Sequence, residues 1–243
     1  MPFQLLLAAA SLAAGAIAAV TGFGIGSLVT PVVALQAGTK IAVAAVAIPH
    51  FIGTAQRFWI LRRHVDRRVL LGFGIASAIG GLAGALLHER ASGRGLAVAF
   101  GSLLLLAAIS ELTGWMARVR WGRRAGWIAG ALSGLLGGLV GNQGGIRSAS
   151  MLGFEVPKES FVATATAVGL FVDVARLPVY LILEGREVAR LWPLLLLSTL
   201  FVILGTLVGT RMLRRIDERV FRRAVAVLLL VLGVYMLLAG GTS

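Results

Sequence analysis

The chain contains no cysteine, which removes disulfides, thiolate metal sites and cysteine nucleophiles from consideration. Charge is scarce too: 14% of residues are charged, against about 25% in an ordinary soluble domain. Acids are the scarcer sign, with 10 Asp and Glu against 23 Lys and Arg, and Lys40 and Lys158 are the only lysines. The three histidines, His50, His64 and His88, lie in different segments, so no clustered ligand set for a metal or haem is offered. No HExxH pair, no GxSxG elbow and no pair of intramembrane aspartates occurs, and these absences argue against an enzyme.

What fills the chain instead is apolar. Of 243 residues 58% are hydrophobic and the mean hydropathy is +0.92. Windows such as 69–88, 191–210 and 220–238 are long and apolar enough to cross a bilayer, which needs ~20 residues. The length leaves room for roughly ten such segments and no separate soluble domain. Residues 1–20 have no basic stretch before the apolar run, since the first Lys or Arg is Lys40; the segment reads as a retained membrane helix rather than a cleaved signal.

The net charge of +13 and the pI of 11.8 invite a nucleic-acid partner, but position argues otherwise. The arginines gather in three short stretches: Arg62, Arg63, Arg67 and Arg68; Arg118, Arg120, Arg123 and Arg124; and Arg211, Arg214, Arg215, Arg219, Arg222 and Arg223. Between them lie balanced stretches, Glu89 with Arg90 and Arg94, and Glu184 and Glu187 with Arg186 and Arg190. This alternation is the positive-inside pattern, placing the basic loops in the cytoplasm. The partners expected are the lipid bilayer and a small anionic substrate, with no nucleic acid.

Two stretches 119 residues apart carry the same punctuation. Gly22, Gly24 and Gly26 stand in the first, Gly141, Gly144 and Gly145 in the second; Gly22 pairs with Gly141, Gly26 with Gly145 and Arg57 with Arg176 at one offset. The offset equates residues 3–20 with 122–139, 22–35 with 141–154, 41–61 with 160–180, 69–88 with 188–207 and 96–114 with 215–233. Equivalent loops differ in charge: 62–68 is basic while 181–187 is balanced, and 89–95 is balanced while 208–214 is basic. Five elements per half, with opposite sidedness, predict an all-α polytopic membrane protein of two inverted-topology repeats, residues 1–118 and 119–243. Both termini are then extracytoplasmic. The segment 22–35 spans only about 21 Å as a helix, short of a ~30 Å hydrocarbon core, so each repeat is expected to hold a broken glycine-rich helix or a re-entrant hairpin.

The glycine clusters Gly22-Phe23-Gly24-Ile25-Gly26 with Pro31, and Gly141-Asn142-Gln143-Gly144-Gly145 with Met151-Leu152-Gly153, carry a resemblance. So do the approaches Thr39-Lys40-Ile41-Ala42 and Pro157-Lys158-Glu159-Ser160. Duplicated in about 250 residues, they resemble the sulfite exporter TauE/SafE family over nearly the whole chain. The resemblance implies a bacterial cell-membrane permease for sulfite, organosulfonates or related anions. An anion channel or a carboxylate carrier with the same fold is the alternative.

Arginines within apolar helices are costly and usually functional, and a guanidinium suits sulfonate, sulfite or carboxylate oxygens. Arg57 and Arg176 are therefore the charged candidates for substrate binding. For Arg57 the rival is snorkelling to the cytoplasmic surface; for Arg176 it is an ion pair with Asp173, three residues earlier. The backbone of Gly22, Gly24, Gly26, Gly141, Gly144 and Gly145, with the amides of Asn142 and Gln143, forms the second group of candidates. Arg147 breaks the symmetry, standing opposite Leu28, as a gating or anion-holding residue or as a loop residue paired with Glu155 or Glu159. Asp173 and His50 are candidates for coupling. No cofactor is expected, only a coupling ion, H+ or Na+. By contrast Gly80/Gly84, Gly130/Gly134 and Gly205/Gly209 have the spacing of helix-packing glycines.

Overall fold

Helices account for nearly all of the residues that the computed structural model describes, which are 2–114, 123–141, 144, 147, 151, 154, 157–212 and 218–239. In order these are α1 (Pro2–Thr21), α2 (Ile25–Leu61), α3 (Arg67–Arg90), α4 (Gly93–Thr113), α5 (Arg123–Val140), α6 (Lys158–Arg190), α7 (Trp192–Met212) and α8 (Glu218–Ala239). Six of them are long and apolar enough to span a bilayer, and α5 and α8 contain shorter apolar stretches, Ala125–Val140 and Leu229–Leu238. Leu5, Ile79, Ile182, Leu196 and Leu238 lie exposed on the outside, a surface that lipid rather than water must cover. The chain is a multi-pass membrane protein.

Three expected boundaries need correction. The segments 22–35 and 41–61 are joined in α2, which breaks at Gly38 (φ 73, ψ 159), a conformation that only glycine adopts at low cost. Residues 181–187, expected as an outward loop, lie inside α6. Their charges do not require a loop because Glu184 is turned inward, buried against His88 and Lys40. No proline follows Pro178 within the helix to stop it. At its other end α7 likewise remains helical through Met212, beyond residue 208.

Small residues decide which helices pair. α1 packs mainly on α7, α3 on α5, and α4 on α8, while α2 and α6 form the centre. A Cβ added at Gly80 or Gly84 would fall on the carbonyl oxygens of Ala131 or Leu135, and one at Gly134 on that of Ser77. Gly205 meets the Leu12 carbonyl in the same way across the α1–α7 pair. Backbones this close gain van der Waals contact, which drives helix association where lipid is as apolar as the side chains. Hydroxyls join in: Ser77 donates to the Gly130 carbonyl at 2.9 Å, and the Ser11 and Ser198 hydroxyls lie 2.9 Å apart. At the centre, Ala42, Ala44 and Ala45 of α2 and Ala163, Ala165 and Ala167 of α6 are fully buried.

The expected consequence is that Gly134→Ala destabilises the protein by about 1–3 kcal/mol, the usual penalty of overpacking. Gly185→Ala, where a Cβ would meet nothing within 4 Å, should be neutral or stabilising by up to about 1 kcal/mol. Thermal unfolding of the two variants in detergent checks the contrast; equal melting temperatures would refute it.

Candidate functional site

Two glycines end two helices in the same way. Gly22 closes α1 with φ 81 and Gly141 closes α5 with φ 74, and each N–H donates to the carbonyl four residues back, Ala18 and Gly137, at 3.0 Å. A left-handed terminal glycine turns the chain off the helix and leaves the final carbonyls needing donors. Buried arginines supply them. The Gly22 carbonyl accepts from Arg57 Nη2 at 3.3 Å and from Arg147 Nη2 at 3.0 Å. The Gly137 carbonyl accepts from Arg176 Nη1 at 2.7 Å, and the Gly138 carbonyl from the Tyr180 hydroxyl. Cations at helix C-termini are also favoured by the helix dipole.

The glycine segments meet across the bundle. A Cβ at Gly26 would fall on the Gly141 carbonyl oxygen and lie 3.9 Å from His50, and one at Gly144 would overlap Phe23. Gly24 has φ 130 and no room beside Ile17, so any side chain there would be strained. The predicted residues Gly22, Gly24, Gly26, Gly141, Gly144, Arg57, Arg147, Arg176, Asp173 and His50 thus fall in one connected buried region. Asn142, Gln143 and Gly145 lie outside the described residues.

Within that region Asp173 is the acceptor that organises the rest. Its Oδ2 lies 2.7 Å from His50 Nδ1, and its Oδ1 receives Arg176 Nε at 3.0 Å and Nη2 at 2.8 Å. The carboxylate is fully buried. Arg176 therefore forms the ion pair with Asp173, and its charge is balanced inside the protein. Arg57 does not snorkel: it is 2% exposed, and its Nε donates to Thr166 Oγ1 at 3.0 Å. Arg147 is not a loop residue either, being 2% exposed and seated against Gly169, where a Cβ would crowd its Nη1. Arg57 Nη1 and Arg147 Nε and Nη1 are buried with no hydrogen-bond partner. Buried donors of a charged group that meet no acceptor are expensive.

Sequence reasoning missed Thr166, Tyr180 and a second polar group around Glu184. The spacing of Asp173, Arg176, Tyr180 and Glu184 follows one face of a helix and would have found two of these, Tyr180 and Glu184. Further along α6, Glu184 lies 3.5 Å from His88 Nε2 and 3.9 Å from Lys40 Nζ. The His88 ring nitrogens also meet the carbonyls of Leu139 at 2.7 Å and Lys40 at 3.2 Å, tying the Gly38 break to the ends of α3 and α5. Among the described residues no group of His, Asp and Glu has the clustering of a metal site.

Comparison with known proteins gives one match. A family model described as Sulfite exporter TauE/SafE matches residues 7–236 of this chain. No curated protein and no solved structure matches it.

Removing the shared carboxylate should be severe. Asp173→Asn leaves Arg176 as an uncompensated buried cation, and breaking a buried pair costs about 3–5 kcal/mol. Glu159→Gln, which touches only the exposed pair with His64 at 3.7 Å, should change stability by less than about 1 kcal/mol. Comparing the two melting temperatures checks the assignment; an Asp173→Asn protein as stable as the parent would contradict it.

Proposed function

Since the chain belongs to the sulfite exporter TauE/SafE family, we propose that it is a secondary transporter that moves small sulfur-containing anions, such as sulfite or organosulfonates, by alternating access. Membership in this family supports a membrane transporter of anions. The finer reading rests on one observation: Arg57 and Arg147, both buried, share the Gly22 carbonyl and keep three guanidinium nitrogens without protein acceptors. The anion site is placed there, beside the meeting of the two glycine segments. Arg176 borders it as a positioning residue, held by Asp173.

Alternating access needs two halves that can exchange roles, and several features support an inverted repeat. The 119-residue offset equates α1 with α5 and α3 with α7, so the α1–α7 and α5–α3 contacts are equivalent pairs. The glycines closing α1 and α5 are equivalent in position and φ, and Arg57 and Arg176 each reach back to the end of one of these helices. With the basic loops inside, both termini lie outside the cell membrane of a bacterium. A coupling proton is assigned to the hydrogen-bonded His50–Asp173 pair, which touches Arg176 and so senses the site.

Uptake of labelled sulfite into proteoliposomes tests this reading. It should be saturable, and Arg57→Ala should weaken the apparent affinity by about 10- to 150-fold, the worth of one hydrogen bond to a charged group. Unchanged affinity in a folded Arg57→Ala protein would remove this residue from the site. Uptake that never saturates would replace the carrier with a channel.

A further inference from the structure

We propose that His88, Glu184 and Lys40 form a proton-binding site, and that the proton held on His88 clasps the Gly38 break of α2 to the ends of α3 and α5. These side chains are distinct from the His50–Asp173 pair and from the buried arginines. The inference stands without the transport reading.

The count of donors and acceptors carries the argument. His88 is buried in the last turn of α3. Its Nδ1 lies 2.7 Å from the Leu139 carbonyl oxygen. Its Nε2 lies 3.2 Å from the Lys40 carbonyl oxygen and 3.5 Å from Glu184 Oε2. A neutral imidazole has one N–H and one lone pair, and only the doubly protonated ring donates from both nitrogens. Both nitrogens here face acceptors, so a neutral ring would turn its lone pair toward oxygen on one side or the other. The ring that fits is the imidazolium, which holds one exchangeable proton more than the neutral form.

The surroundings suit a cation as well. His88 and Leu139 stand in the last turns of α3 and α5, where the helix dipole favours positive charge. Glu184 is 7% exposed, and neither of its carboxylate oxygens has a hydrogen-bond partner. Lys40 stays 3.9 Å from Oε1 while its ammonium donates to the Glu89 carbonyl at 2.6 Å. The charged groups facing His88 are thus Lys40 from α2 and Glu184 from α6. From α6 also comes the Tyr180 ring, 5.1 Å away, with its hydroxyl committed to the Gly138 carbonyl. α5 presents Leu139, and on α3 itself Glu89 and Arg90 are exposed. The Lys40 side chain is 33% exposed, which gives the proton a way in and out. Histidine is the side chain that changes charge between about pH 5 and 8. A ring that loses one proton keeps the shorter bond from Nδ1 to Leu139 and gives up the donor at Nε2. The Lys40 carbonyl beside the Gly38 break and the Glu184 carboxylate then face a lone pair. The sign follows: the clasp holds in acid and slackens as the pH rises.

Hydrogen exchange of the full-length protein in nanodiscs, corrected for the intrinsic pH dependence of amide exchange, reads the clasp. Between about pH 5.5 and 8, protection of residues 39–44 should fall at least about tenfold, the worth of one hydrogen bond to a charged group. Residues 195–202 of α7 should show no such fall. His88→Gln should abolish the dependence, whereas His64→Gln, at the exposed pair with Glu159, should leave it intact. Nitrogen-15 spectra of the histidine rings in the unaltered protein give a reading that needs no variant to fold. The same rise in pH should take His88 from two protonated nitrogens to one, at Nδ1. Three results would each overturn the proposal: a His88 ring with a bare nitrogen throughout the range, protection that does not change with pH, or a dependence kept in full by folded His88→Gln.

Discussion

A helix that stops inside a packed bundle leaves carbonyl oxygens with no water to satisfy them, and here guanidinium groups donate to carbonyls at two such ends. α1 stops at Gly22 and α5 at Gly141, each in the left-handed conformation, and the freed carbonyls draw Arg57, Arg147 and Arg176 into the interior. The helix breaks and the buried cations therefore require one another. Neither would persist in an otherwise apolar bundle alone, and together they create a polar centre at the meeting of the two glycine segments.

That centre in turn dictates the packing around it. Room is tight at Gly24, Gly26 and Gly144, where a side chain would strike Ile17, the Gly141 carbonyl or Phe23. α2 and α6 must lie close enough for His50 to reach Asp173 and for Arg57 to reach Thr166, which the small alanines of both helices allow. The outer pairs α1–α7 and α3–α5 then close on glycine and serine contacts. Asp173 is ion-paired with Arg176, and among the described residues no carboxylate lies within ion-pair distance of Arg57 or Arg147.

Much of this was legible in the amino-acid sequence, and the reason is physical. Gly22 with Gly141 and Arg57 with Arg176 stand at one common spacing in the sequence, and each of the two glycines ends a helix to which one of the two arginines reaches back. What could not be read was which groups would pair. Asp173 is three residues from Arg176, which announces that ion pair, but its second partner, His50, is 123 residues away along the chain. Arg147 contacts Gly22 across 125 residues, and nothing in its local sequence distinguishes a loop residue from a buried one. The extent of α6 was missed because Glu184 and its neighbours have the composition of a loop, whereas Glu184 itself finds His88 and Lys40 inside the bundle.

The central claim is that the unpartnered donors of Arg57 and Arg147 are where the transported anion rests. An experimental structure of the protein soaked with selenite, with the selenium located by its anomalous scattering, tests it most directly. The account predicts one selenium peak deep in the bundle, with its oxygens in hydrogen-bond contact with both guanidinium groups next to Gly22. A peak elsewhere in the bundle, with Arg57 and Arg147 still without an anion between them, would contradict it.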